Sequence, residues 1–265
     1  MKKLVVYFLL IMSIFWSCKR DELERQIQQP FKLPVDYYIH YYDTNSVEIS
    51  TTHIHLTYHN RLLTRQEKDA WQINGDTSRS HCEYIYADTS RGELARIKIF
   101  SNNIFVKYNT YTYANHQLIR IETYDAQTDS LEKRVEFSYQ GNRVASMQSE
   151  VGHGFSGRIE RYTFNGDNLV NIEGYFSSDP ATLVYEYDFE FDDKNASKKN
   201  ILTKDWPFRN QNNRTLWRIQ AYRGSGFMLE ILYHYSYDGD NYPIRRVKTD
   251  ANGDTLSIMD MEYNF

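Results

Sequence analysis

Three histidines, His53, His55 and His59, occupy odd positions of one predicted strand, so their imidazoles would share a face. Neutral imidazole is a good ligand for zinc or copper. No Glu or Cys joins them at ligand spacing, however, and histidines are common on exposed strands, so the preferred reading has no bound metal. Cys82 lies beside His81, but no Asp or Asn completes a nucleophile motif, and it reads as a buried or strand-facing thiol. Asp250, Asn252 and Asp254 have the spacing that begins a calcium loop. Gly253 is misplaced for one and no Glu stands at the twelfth position, so a hairpin turn explains them better. The near copy of that turn from Asp125 to Leu131 supports a structural role. Asp192 and Asp193 fall inside another turn, where solvation keeps carboxylates ordinary. There is no Gly-x-Ser-x-Gly, no phosphate loop, no dinucleotide fingerprint and no His-Glu-x-x-His. The chain is expected to be a non-enzyme without a cofactor.

The start of the chain carries an address. Lys2 and Lys3 precede an apolar run from Leu4 to Trp16, broken only by Ser13. Thirteen helical residues reach about 20 Å, short of a hydrocarbon core of about 30 Å, which favours a secretory leader over a permanent span. Ser17-Cys18 resembles the end of a bacterial lipobox, which implies residues 1–17 as a signal peptide, lipid on Cys18 and a tether over 18–35. The Lys19 to Glu22 stretch is similar to the signals that follow the lipidated Cys in surface-exposed Bacteroidetes-type lipoproteins. The resemblance implies export and an outer-membrane lipid anchor, with cell-surface display open. With Cys18 carrying lipid, Cys82 has no partner for a disulfide within the chain.

The remainder, residues 36–265, is built as a repeat. An aromatic, any residue, then Tyr or Phe runs into a polar turn, and in the clearest copies aliphatic residues follow five and eight positions later. The closing aromatics Tyr113, Tyr139 and Phe164 are followed by Leu118 and Ile121, Val144 and Met147, and Leu169 and Ile172. Tyr86 and Tyr237 close copies with insertions; Tyr58 and Phe191 close degraded ones. Spacings of about 25 to 28 residues fit two short strands and two turns, a repeating hairpin. With 23 Tyr and 14 Phe against 5 Pro and 12 Gly, the composition suits pleated, half-buried strands. The net charge of -4, about -6 once Lys2 and Lys3 leave with a leader, gives no basic field for nucleic acid.

Aromatics two apart point to one side and Thr112, Ser138 and Thr163 to the other, giving one aromatic and one polar face. The pair at five and eight positions breaks strict alternation, which calls for a bulge or a turn exit between them. The aromatic, turn, Leu spacing resembles tyrosine-aspartate (RHS-type) repeats and, more closely, Bacteroidetes-type lipoproteins built of such hairpins with a porin-like open β-sheet. What the resemblance implies is an all-β fold: one elongated antiparallel β-meander, a curved open sheet or partial barrel. The expected role is a non-catalytic binding or scaffolding surface at the envelope. A glycan or an envelope protein is one class of partner, and a hydrophobic ligand held in the curve of the sheet is another. Trp206, Phe208 and Trp217 are the candidate ligand contacts, because their loop interrupts an otherwise structural repeat.

Overall fold

A computed structural model describes residues 32–151, 155–202, 204, 206, 207, 210–222 and 226–264. Residues 1–31, with the expected leader and Cys18, and Phe208 lie outside the described residues. The compact unit Leu33–Asn264 consists of sixteen antiparallel strands, with no helix among the described residues. Each strand pairs with its neighbours in sequence: β1(Leu33–Tyr42), β2(Glu48–His59), β3(Leu62–Gln72), β4(Thr77–Asp88), β5(Glu93–Ser101), β6(Ile104–Ala114), β7(Gln117–Asp125) and β8(Leu131–Gln140). The second half continues with β9(Arg143–Val151), β10(Phe155–Asn165), β11(Asn168–Phe176), β12(Asp179–Phe191), β13(Arg214–Ala221), β14(Met228–Tyr237), β15(Pro243–Asp250) and β16(Thr255–Asn264). The meander does not stay open. β1 pairs with β16 from Leu33 opposite Asn264 to Tyr41 opposite Ser257, so the sheet closes into a full barrel. This corrects the expected open sheet or partial barrel. Closure depends on pairing between the two ends of the domain, which no local repeat encodes, and it leaves no free sheet edge.

The repeat has a local physical cause. In every copy the closing aromatic faces the first residue of a β-bulge on the next strand: Tyr58 faces Leu63, Tyr86 Leu94, Tyr113 Leu118, Tyr139 Val144, Phe164 Leu169, Phe191 Arg214 and Tyr237 Pro243. The extra residue resets the alternation, so positions five and eight after the aromatic point to the same side. Leu118 and Ile121 are both buried for this reason, while Arg120 between them pairs with Glu136 at the surface, 2.8 Å away.

A bulge also takes backbone groups off the ladder, and buried groups of that kind need partners. In five of the seven copies a tyrosine of the following strand supplies one. Tyr86 donates its hydroxyl to the Leu63 carbonyl at 2.7 Å, Tyr139 to Leu118 at 2.8 Å and Tyr263 to Pro243 at 2.8 Å. Tyr235, first ring of its pair, donates to Arg214 at 2.9 Å, and the Leu94 amide donates to the Tyr113 hydroxyl at 3.0 Å. Phe191 has no hydroxyl with which to serve the Leu169 bulge. There the Leu169 amide instead donates to the side-chain oxygen of Asn210, at 2.9 Å.

The aromatic face is the inner one. Leu118, Val135, Phe137, Val144, Tyr162, Leu169 and Phe189 form one buried cluster; Leu33, Tyr37, Leu56, Leu63 and Met261 form a second. The opposite face carries exposed ion pairs within the strands, including Arg134 with Glu122 at 2.9 Å and Arg218 with Glu230 at 3.0 Å. Burial pushes the inner phenols up: Tyr139 and Tyr235 to about 12, with Tyr162, Tyr185 and Tyr263 raised as well. A phenol that keeps its proton in the fold above its unfolded value of about 10 stabilises the barrel below that pH and loses this contribution as pH rises through the folded value. Denaturant stability is therefore expected to be level from pH 7 to about 9.5 and to fall progressively above pH 10. Stability unchanged to pH 12 would contradict the burial of these rings.

Candidate functional site

Connections alternate between the two ends of the barrel. One end collects the tight turns of the repeat, several with central residues at positive φ: Asn60 and Arg61, Asn115 and His116, Gly141, and Gly166. The long β12–β13 connection, residues 192–213, belongs to this end and runs across it. Its Asn195 amide donates to the Asn241 carbonyl at 3.1 Å, Leu202 to Arg61 at 3.1 Å and Lys204 to Gly92 at 2.8 Å. Tyr113 donates to the Lys204 carbonyl at 3.1 Å. Hydrogen bonds thus tie one connection to turns of β14–β15, β2–β3 and β4–β5, and to the wall at β6 and β11. Ile201 enters the second interior cluster, and Trp206 sets its ring edge-on against Phe137 of the first, centroids 5.2 Å apart. The connection is a cap on one mouth.

Between cap and turns lies a crevice of about 340 Å³. Trp206, Pro207, Leu202 and Tyr139 give it an apolar wall, and Arg91, His116, Gln117, Asn142 and Lys204 give it a polar rim. The rim cations are balanced. Buried Glu93 takes His116 at 3.3 Å and Lys204 at 3.6 Å, and Arg91 pairs with Asp88 at 3.6 Å. Gln117 donates to the Gly141 carbonyl at 2.8 Å. An apolar ring beside amides and compensated charges suits an uncharged, hydroxyl-rich ligand better than an ion.

Of the predicted contacts, Trp206 is exposed and lines this crevice. Trp217 is not beside it. Its ring packs into the interior, T-shaped against Tyr187 at 5.9 Å and under the Arg214 guanidinium at 5.7 Å. Burial holds Arg214 below the usual arginine range, and burial together with the charge of Arg246 lowers Lys248.

The histidines share a face as expected. His53 and His55 are neighbours on the outer face of β2, and His59 follows on that face as the last residue of the strand, opposite Leu62 and beside Asn60, but it does not join the other two. Asp36 of β1 joins the first two, opposite His55 in register; a search for ligands near in sequence misses it because strand pairing supplies it. Cys82 is a half-buried thiol, raised by burial, on the inner-face register with Gln66 and Ile99. The Asp250 carboxylate accepts from the amides of Asn252 and Asp254, both at 2.9 Å, and so holds its own hairpin turn.

No family model matches the sequence, and no curated protein matches it. Among solved structures it is similar to a porin-like protein from Bacteroides uniformis, at 11% identity and a TM-score of 0.60, with 89% of this chain and 99% of that one covered. A porin-like protein from Bacteroides vulgatus also matches, at 12% identity and a TM-score of 0.39, over 88% of this chain and 99% of that one. At such identity the first likeness shows the fold: a porin-like antiparallel barrel.

Proposed function

We propose that the chain is an exported envelope lipoprotein whose barrel stands beside the membrane and binds glycan, without catalysis, in the crevice of its capped mouth. The observation that carries the binding reading is Trp206, an exposed indole on the wall of a ligand-sized crevice whose rim offers amides and balanced charge. A place beside the bilayer is supported by the polarity of the wall. A membrane-spanning barrel turns an apolar band outward, and a lipid-facing Arg at the midplane costs about 2–4 kcal/mol. Here Arg120, Arg134 and Arg218 point outward in ion pairs while the paired aromatics of the repeat, such as Tyr111 and Tyr113, point inward.

A glycan array probed with the full chain tests binding. Trp206→Ala is expected to weaken any captured saccharide about tenfold with the far-ultraviolet spectrum unchanged, the size of a lost aromatic contact. An array without a hit, or equal binding by the variant, contradicts the proposal. The anchor is tested separately by palmitate incorporation, present in the natural chain and absent in Cys18→Ala.

A further inference from the structure

The outer wall carries a second constellation, distant in sequence from the cap residues. β1 is the strand that closes the barrel, pairing with β16 on one side and β2 on the other. On its outer face Asp36 lies opposite His55 and diagonal to His53, whose register partner is Tyr38. One carboxylate oxygen, Oδ1 of Asp36, is 2.6 Å from His53 Nε2 and 2.9 Å from His55 Nδ1. All three candidate ligand atoms lie within 4.8 Å of one another.

We propose that Asp36, His53 and His55 form a three-ligand site for a borderline divalent transition ion of the zinc class, pinning the closing strand to β2. Ligand type fits: two imidazoles and a carboxylate suit zinc, copper or nickel better than magnesium or calcium. Geometry fits as well. Bonds of about 2.0–2.1 Å in a tetrahedron place ligand atoms about 3.3 Å apart, so side-chain shifts below about 1 Å convert the present contacts into a coordination set. Tyr38 stacks on His53 with centroids 4.5 Å apart and planes 5° from parallel, which fixes that ring. Asp36 is the most enclosed member at 16% side-chain exposure and His55 the most open at 44%, so the vacant positions face water.

Among the described residues the set ends at three. Glu67 and Asp69, opposite His55 and His53 on β3, are held by Arg65 at 2.9 Å and Arg79 at 2.7 Å, and Glu262, opposite Asp36 on β16, lies outside the set. His40 is drawn instead to Glu48 at 3.1 Å.

Calorimetric titration of the chelator-treated full chain with zinc alone tests the site. One ion per chain at micromolar affinity or tighter is expected, with at least about tenfold weakening in Asp36→Asn, His53→Gln and His55→Gln and no change in His59→Gln. Absence of stoichiometric binding, or binding undiminished in the three variants, overturns the proposal. Because a variant can fail through misfolding, copper(II) on the natural chain gives a second readout by electron paramagnetic resonance. Hyperfine structure from two imidazole nitrogens supports the site, and a spectrum without nitrogen coupling overturns it.

Discussion

Leu94→Ala is expected to lower unfolding free energy by about 2–5 kcal/mol, the range for emptying a fully buried leucine site. Leu94 has no exposed surface, is the first residue of the bulge that faces Tyr86, and donates its amide to the Tyr113 hydroxyl. Tyr113 in turn holds the cap through the Lys204 carbonyl, so repacking around the cavity is constrained by the bulge behind it and the cap above. Urea denaturation of the two proteins measures the effect. A loss below about 1 kcal/mol would mean that the bulge positions are not the packed core of the repeat.

Gly174→Ala should destabilise by about 1–3 kcal/mol, the usual cost of forcing extra volume into a packed site. A Cβ built on Gly174 falls 2.1 Å from Cζ of Tyr185, whose ring lies directly over the glycine in the neighbouring strand. That ring cannot slide freely: its hydroxyl donates to Glu160 at 2.6 Å, and the Tyr162 hydroxyl donates to the same carboxylate at 2.9 Å. The sign separates steric cost from backbone preference. In a Tyr185→Ala background the obstruction is gone, and replacing the glycine should then be neutral or stabilise by about 0.4–1 kcal/mol through the unfolded chain. Equal effects in both backgrounds would contradict the close approach.

The sequence-level signals were those with short-range causes. Aromatic alternation, polar turns and the break between positions five and eight all arise within one hairpin, so the strands, the turns and the need for a bulge could be read from Tyr113 to Ile121 alone. The role of the tyrosine hydroxyl was not legible, because it depends on the bulge of the preceding hairpin, as Tyr139 does on Leu118. Closure was hidden for the same reason on a larger scale: Tyr37 meets Met261 only after fourteen other strands have set the curvature. The site divides similarly. Trp206 stood out as an aromatic in an irregular connection, whereas Arg91, His116 and Tyr139 reach the crevice from separate hairpins. Asp36 was invisible as a partner of His53 and His55 because only the β1–β2 register brings it there.

The closed seam is tested most directly by a disulfide across it. His40 and Ile258 are register partners on β1 and β16. Antiparallel partners have Cα atoms about 4.5–5.5 Å apart, within the reach of a disulfide. With Cys18 and Cys82 replaced by serine, the His40→Cys/Ile258→Cys chain should oxidise quantitatively to an intramolecular cross-link under native conditions and run faster on a non-reducing gel. An open sheet of sixteen strands, spaced about 4.8 Å, would hold these ends roughly 70 Å apart if flat. Failure to cross-link in the native protein, with cross-linking only after unfolding, would contradict the barrel.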